Sequence, residues 1–320
     1  MNVLVTGGAG YVGSMVVSGL LGAGRRVRVL DSLAHGGRGL LGHWSHPDFT
    51  FLKGDVRDAE AVRRALEGVD AVVHLAAIVG DPACARQPEL ATAVNLEASQ
   101  ALLAASEAAG VGRFVFASTC SNYGKMKDPD ALVDETSELL PVSLYARTKV
   151  AVEERILAWD GPMCATSLRL ATVFGVSPRM RFDLTVNEFT MELLTKGRLV
   201  VFGRQFWRPY VHVRDVARAI LTVLEAPEDR VRRRVFNVGS TAENYTKEML
   251  LALMREHAPD AEVEYVHKDE DPRDYRVSFE RIASELGFTI TRTVPEGIRE
   301  VADLVRFGVI TDADSPAYRN

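Results

Sequence analysis

The sequence predicts an α/β fold built on a doubly wound parallel sheet, and two observations carry this. Short apolar, β-rich runs alternate with helical stretches through the first 170 residues, and a glycine turn joins the first run to the first helix. The runs are Val3–Val5, Val27–Leu30, Phe49–Leu52, Ala71–Leu75, Arg113–Ala117 and Ala165–Leu170. Between them Ala59–Leu66, Glu89–Ala109 and Leu144–Ala158 read as helices. Such an order calls for parallel strands covered on both faces.

The opening stretch shows the pattern most clearly. Val3-Leu4-Val5 turns at Thr6 into Gly7-Gly8-Ala9-Gly10-Tyr11-Val12-Gly13. Val12, Met15, Val16 and Leu20 then follow helical spacing, and Arg26–Leu30 ends at Asp31. Strand, glycine turn, helix, strand and acid is the order of a dinucleotide-binding, Rossmann-like βαβ unit. Gly7 permits the tight turn, and Gly10 lets the backbone approach a diphosphate seated on the helix N-terminus beside Tyr11 and Val12. Gly13 lets the helix close on the strand. The spacing is Gly-x-x-Gly-x-x-Gly rather than Gly-x-Gly-x-x-Gly, and three glycines alone would equally suit a bare strand-to-helix turn. The flanking strands and Asp31, eighteen residues beyond Gly13, favour a cofactor. A carboxylate there accepts hydrogen bonds from an adenosine ribose diol and repels a 2′-phosphate, so NAD is expected. Arg38 is the nearest cation that could rescue a phosphorylated ribose.

At 320 residues the chain suffices for one large α/β domain or two fused lobes. Charged residues make up 25% and apolar ones 47%, as in soluble globular enzymes. A net charge of −5 leaves no basic footprint for nucleic acid. Cys84, Cys120 and Cys164 suggest neither a disulfide framework nor a zinc site, and no metal is expected. The start enters a strand at once, which leaves no room for a signal peptide, and no apolar run reaches the length of a membrane span. A cytoplasmic, soluble protein is expected, with no membrane partner.

Beyond the third strand, Gly54-Asp55-Val56 is placed to meet an adenine ring; Asp55 reads equally as a cap for the next helix. His74 reads as a core histidine, and the small residues that follow, Leu75-Ala76-Ala77, would let backbone lie against the cofactor. Asn95, inside a long helix, is either a prop for the active site or a packing accident. Phe114–Ala117 then runs into Ser118-Thr119-Cys120-Ser121-Asn122-Tyr123-Gly124. In a doubly wound sheet ligands lie beyond the carboxyl ends of the strands, so hydroxyls there are candidates for function. Ser143 reads as an N-cap for a helix that carries Tyr145 and Lys149 four apart on one face. An ammonium one turn away favours the phenolate. Bringing a phenol from about 10 to near 7 takes roughly 4 kcal/mol, which the ammonium and a nicotinamide cation could supply together.

These residues together resemble the extended short-chain dehydrogenase/reductases, and within them the NAD-dependent nucleotide-sugar epimerase/dehydratase family. The resemblance rests on Gly7-x-x-Gly10-x-x-Gly13, Asp31, Gly54-Asp55-Val56, His74–Ala77, Ser118-Thr119, Tyr123-Gly124 and Tyr145-x-x-x-Lys149. It continues through Leu168–Gly175, Val201–Gly203, Arg208–Asp215 and Phe236–Gly239. It implies a Rossmann-like domain over residues 1–174 with a returning segment at about 208–240. A smaller α/β substrate-binding lobe would comprise 175–207 and 241–320.

By that resemblance Tyr145 takes the hydroxyl proton at sugar C4, Lys149 tunes it and holds the nicotinamide ribose, and Thr119 orients the same hydroxyl. The C4 hydride goes to NAD, giving a bound 4-keto sugar. Gly7, Gly10, Tyr11, Val12, Asp31, Asp55, Val56, Leu75, Ala76, Ala77, Asn95 and Ser118 are the expected cofactor contacts. A 4,6-dehydratase commonly carries an Asp-Glu pair directly after the threonine, and a decarboxylating member wants the glutamate. Cys120 and Ser121 stand there instead, and neither is a carboxylate base. Epimerisation at C4 is therefore the expected reaction, with 4,6-dehydration or 4-keto reduction as the alternatives. A non-catalytic dinucleotide sensor would have lost the tyrosine, the lysine or the strand-end hydroxyl, and all three are present.

On the substrate side, a nucleotide-diphosphate sugar, the resemblance assigns Cys120, Ser121 and Asn122 to the sugar. Arg208 would clamp the diphosphate. Phe202 would stack on the base, or else be a core aromatic at a strand end. Thr172 stands where many members have an asparagine, Asn187 would add an amide, and Arg273 or Arg276 would meet phosphate. The segment Arg179-Met180-Arg181-Phe182-Asp183 is an unusual insertion that could shape the sugar pocket. The helices Glu89–Ala109 and Leu144–Ala158 would pair across a homodimer, unless their apolar faces are covered within the chain. Thr311–Asn320 is polar and is expected to fray.

Overall fold

The computed structural model describes every residue except 127, 129, 130, 269, 270 and 272. Twelve strands are described: β1 Asn2–Thr6, β2 Arg26–Asp31, β3 Phe49–Lys53, β4 Ala71–His74, β5 Arg113–Thr119, β6 Cys164–Leu170, β7 Thr172–Phe174, β8 Arg198–Phe202, β9 Trp207–His212, β10 Arg234–Val238, β11 Asn244–Thr246 and β12 Glu262–Val266. Seven of them form one sheet in the order β10-β6-β5-β4-β1-β2-β3. Each pairing in it is parallel. The chain winds outward from β1 in both directions, so the order reverses between β1 and β4. A crevice opens at the carboxyl ends of the strands at such a reversal.

Both faces are buried, as alternation along β1 makes plain. Val3 and Val5 join one apolar layer with Val16, Leu20, Val216 and Ile220, beneath the helices Tyr11–Gly22 and Val213–Glu225. Leu4 points the other way and packs with Leu30, Leu102, Phe114 and Phe116, beneath Ala59–Leu66, Ala98–Ala108 and Leu144–Leu157. Period-2 side chains on strands covered twice explain the near-continuous apolar runs. A separate core around Phe174, Phe189, Leu193, Tyr210, Leu250 and Ile298 holds the three-stranded sheet β11-β9-β7. Parallel β8 and β12 form a third, small sheet.

Three local expectations are corrected. The stretch expected to be one helix over Glu89–Ala109 is Pro88–Thr92, a π-helical turn Ala93–Glu97, and Ala98–Ala108. The Ser99 hydroxyl bonds the carbonyls of Val94 and Asn95 within that wide turn, and the Asn95 side chain grips the backbone of Ile78. The cap of Ala59–Leu66 is Asp58, which accepts from Glu60 N at 2.9 Å, and not Asp55. The last ten residues are not frayed: Phe182 N donates to Tyr318 O at 2.8 Å, Asn320 N donates to Asp183 Oδ2 at 3.1 Å, and the Phe182 and Tyr318 rings meet edge-on. Among the described residues no helix is long and apolar enough to cross a membrane. No group of His, Cys, Asp or Glu among them is placed to hold a metal.

Candidate active site

The crevice at the order reversal is a cleft of about 570 Å³. Its floor begins with the glycine turn. Gly7 has φ of 73°, and a Cβ there would stand 2.7 Å from Ala76 N. A Cβ on Gly13 would stand 2.1 Å from Gly7 O, so the helix lies on the strand as closely as backbone permits. Gly10 is the N-cap of Tyr11–Gly22 and supplies no side-chain cap, which leaves the first-turn amides for an anion. Gly7, Gly10, Tyr11 and Val12 all line the cleft. The Tyr11 hydroxyl donates to Gly175 O at 2.6 Å, and burial pushes its pKa up. Asp31 also lines the cleft and fixes the turn, accepting from Ala9 N at 2.9 Å and Leu33 N at 2.8 Å. A glycine cradle, an uncapped helix and a carboxylate at the end of the neighbouring strand fit a dinucleotide.

Asp55, Val56, Leu75, Ala76 and Ala77 continue the same wall. Asp55 is paired with Arg57 at 2.7 Å. His74 lies behind the wall, between the hydroxyls of Thr6 at 2.7 Å and Ser99 at 2.8 Å, and burial holds its pKa down to about 3. It is a neutral core histidine that steadies Thr6, whose hydroxyl accepts from Ala76 N at 3.3 Å. Asn95 is off the wall. Its side chain accepts from Ile78 N at 2.8 Å and donates to Ile78 O at 2.9 Å, so it props the loop and is not a direct lining residue.

Ser118 and Thr119 end β5 inside the cleft, joined there by Tyr145 and Lys149. Ser143 caps their helix, accepting from Ala146 N at 3.1 Å. Lys149 Nζ donates to Ala117 O at 2.8 Å and stands 5.9 Å from the centroid of the Tyr145 ring. Burial raises the Tyr145 pKa, nearby Cys84 adds to that, and Arg181 opposes it. Burial also brings Lys149 down to about 8. Thr119, Tyr145 and Lys149 together present a hydroxyl, a phenol and an amine, a set able to hold and shuttle the proton of a carbinol.

The substrate-side candidates fall into two groups. Ser121, Thr172, Arg208 and Arg273 line the cleft, whereas Cys120, Asn122, Asn187 and Phe202 do not. Cys120 alternates inward and bonds Arg169 O at 3.3 Å; Asn122 turns back to donate to Ser118 Oγ at 3.1 Å. Asn187 accepts from Gly175 N and donates to Arg181 O, both at 2.9 Å, and so fixes the inserted segment. Phe202 is 54% exposed at the end of β8. Arg276 lies over the Trp207 ring at 4.8 Å, away from the cleft. Arg38 lines a smaller cavity alongside.

Long-range folding brings in Arg179 and Arg181 of the inserted segment, together with Tyr210, Lys247, Tyr275 and Asn320, which were not singled out from the sequence as site residues. Only the inserted Arg179–Asp183 segment gave a signal. Arg208 pairs with Asp271 at 2.9 Å; burial raises the Asp271 carboxyl, but Arg208 and the Arg273 amide leave it below the usual range. Arg273 also pairs with Asp81 at 2.9 Å.

Residues 3–239 match the sequence model of the NAD dependent epimerase/dehydratase family. The chain belongs to this family. It is 30% identical over 314 residues to the UDP-glucose 4-epimerase of Corynebacterium glutamicum, covering 92% of each chain. It is 33% identical over 310 residues to a dTDP-glucose 4,6-dehydratase of Streptomyces griseus, covering 93% of this chain and 92% of the relative. A crystal structure of the dTDP-glucose 4,6-dehydratase of Streptomyces venezuelae with NAD bound superposes with a TM-score of 0.86 at 28% identity, covering 96% of this chain and 98% of that one. This member of the epimerase/dehydratase family is thus an NAD-dependent enzyme on a Rossmann-like sheet.

Proposed function

We infer that the protein is a nucleotide-sugar epimerase that inverts C4 through a transient 4-keto sugar. The observation that carries this is the character of the strand end. The carboxylates lining the cleft, among the described residues, are Asp31 and Asp55 at the dinucleotide wall and Asp271 in its ion pair with Arg208. Beside Thr119 the cleft presents Ser121 and the Tyr275 hydroxyl, 3.5 Å apart, neither able to serve as the carboxylate acid and base that loss of water across C5 and C6 needs.

In this reading Thr119 holds the C4 hydroxyl and Tyr145 takes its proton, returning it after the sugar has turned. Lys149 stabilises the charge left on the phenol and holds a ribose hydroxyl. NAD, when bound, supplies the hydride acceptor and donor at C4. Residues 1–174 with the returning segment 208–240 would bind the cofactor, and 175–207 with 241–320 the nucleotide sugar. Arg208, Arg273 and Lys247, grouped around Asp271, would form the cationic side of the cleft that meets its diphosphate. A homodimer through the faces of Ala98–Ala108 and Leu144–Leu157 belongs to the same reading.

The test is product analysis with NAD-loaded protein and a panel of nucleotide hexoses. Inversion at C4 in one of them without net NADH supports the reading. Release of a 4-keto-6-deoxy sugar would replace it with dehydration, and steady NADH consumption on a 4-keto substrate would replace it with reduction.

A further inference from the structure

Two arginines of the inserted segment reach the cleft, and one of them makes no ion pair among the described residues; burial and Arg181 disfavour its charge, and Asp183 only partly opposes them. Arg181 holds Asp183 through two bonds of 2.8 Å. Arg179 is only 5% exposed, and among the described residues no carboxylate pairs with it. One Nη donates to Arg319 O at 2.9 Å, while its Nε has no partner. Burying a guanidinium this way is costly unless an anion joins it.

The position of Arg179 says which anion. Its segment is fastened to the glycine turn: Ser177 Oγ donates to Tyr11 O at 2.7 Å and meets Ser14 Oγ at 2.9 Å, while the Tyr11 hydroxyl donates to Gly175 O. Arg179 lines the cleft with Gly10, Tyr11 and the loop after Asp31. It also closes the neighbouring cavity of about 220 Å³ against His35 and Gly36 of that loop. Of the other cleft cations, Arg208, Lys247 and Arg273 surround Asp271, Arg57 pairs with Asp55, and Lys149 donates to Ala117 O.

We propose that Arg179 is the counter-charge of the cofactor's own diphosphate, reaching across from the segment after β7 to complete the anion site begun by the uncapped helix Tyr11–Gly22. The two halves are complementary. The helix end offers amides and a positive dipole, and the guanidinium offers a planar pair of donors. Fastening Ser177 to Tyr11 keeps the two in register. The assignment stands whichever reaction follows at the sugar.

The test is Arg179→Met in the full chain, with NAD, adenosine and UDP as calorimetric probes. NAD affinity should fall about 10- to 100-fold, as for loss of charge-assisted hydrogen bonds, with adenosine and UDP affinities unchanged. The melting temperature of the cofactor-free protein should hold or rise, because an unpaired buried charge has gone. Arg179→Lys should recover part of the NAD affinity. Unchanged NAD affinity would overturn the proposal, as would weakened UDP binding with NAD intact, which assigns the charge to the nucleotide sugar. Equal losses for NAD and adenosine with a lowered melting temperature, or failure of both variants to fold, would make Arg179 structural and likewise overturn it.

Discussion

The amine of Lys149 and the phenol of Tyr145 share one helical face, yet Lys149 gives its short hydrogen bond to Ala117 O at 2.8 Å and lies 5.9 Å from the centre of the tyrosine ring. In this state burial dominates both groups, raising the phenol and lowering the amine to about 8. Each is disfavoured in the form a proton shuttle needs. Under the proposed mechanism, a bound nicotinamide would bring the positive charge that favours the phenolate.

Tyr145→Phe removes only the hydroxyl from a ring that otherwise completes the wall. NAD affinity should stay near that of the parent, while turnover should drop by roughly 10²- to 10⁴-fold, the usual scale for a lost acid/base. Calorimetry and single-turnover kinetics on one preparation check both halves. Near-normal turnover would remove Tyr145 from the proton path.

Lys149 makes a prediction about stability. Below about pH 8 it is charged whether the chain is folded or not, and above about 10.5 it is charged in neither state. Between these the unfolded chain binds a proton that the folded chain does not. This group's contribution to stability therefore rises with pH, by up to about 1.4 kcal/mol per unit. Lys149→Met should be the more stable protein near pH 7.5 without cofactor, and its advantage should shrink steadily towards pH 10.5. Urea midpoints across that range decide it.

His74 carries the same sign in a different window. Its pKa falls from 6.5 to about 3 on folding, because a buried ring between two hydroxyls has no room for charge. Its contribution is complete above pH 6.5 and is lost as the pH falls towards 3. His74→Asn should flatten the acid limb of a melting-temperature profile over pH 6.5 to 4, even if it lowers stability at neutral pH. An unchanged acid limb would contradict the burial argument.

How much of this was legible in the sequence depends on range. The glycine turn, the Ser118-Thr119 strand end and the Ser143-capped helix with Tyr145 and Lys149 are set by neighbours a few residues away, and local pattern found them. Side-chain direction was harder. Cys120 and Asn122 adjoin lining residues but are buried, because the short 3₁₀ turn Cys120–Tyr123 leaves only Ser121 of its four residues facing the cleft. Asn95 carried the right residue type, but the π turn aims its amide at Ile78 and not at the cleft. Arg179, Lys247, Tyr275 and Asn320 reach the cleft only through tertiary folding, which no local spacing encodes. Phe202 misled because an aromatic at a strand end says nothing of what covers it.

Behind β5 a buried pair ties the Tyr145 helix to the sheet. Arg169 Nε donates to Glu153 Oε1 at 3.0 Å, Ser167 Oγ donates to Glu153 Oε2 at 3.0 Å, and the other arm of Arg169 reaches the Tyr123 hydroxyl at 2.8 Å. Both side chains are almost wholly buried, at 3% and 1% exposure. Arg169→Met leaves Glu153 as an uncompensated charge and should cost about 3 to 5 kcal/mol. Arg169→Met combined with Glu153→Leu should recover much of that, as denaturant midpoints would show. No recovery in the double variant would mean the pair acts through Tyr123 and not as an ion pair.

At Gly13 the first helix lies against the glycine turn with no room for a side chain. A methyl group on Gly13 would stand 2.1 Å from Gly7 O and 2.7 Å from Gly8 Cα, and neither neighbour is a side chain that could swing aside. Relief has to come from the helix Tyr11–Gly22 lifting off β1 and β2. That movement displaces the first-turn amides and strains the bonds from Ser177 to Tyr11 and Ser14. Gly13→Ala should therefore destabilise the fold by several kcal/mol and weaken NAD more than UDP. Gly22→Ala, on the same helix with nothing within 4 Å, is the control for helix propensity and should leave both affinities unchanged. Equal tolerance of alanine at the two positions would show that the turn is not close-packed against the helix.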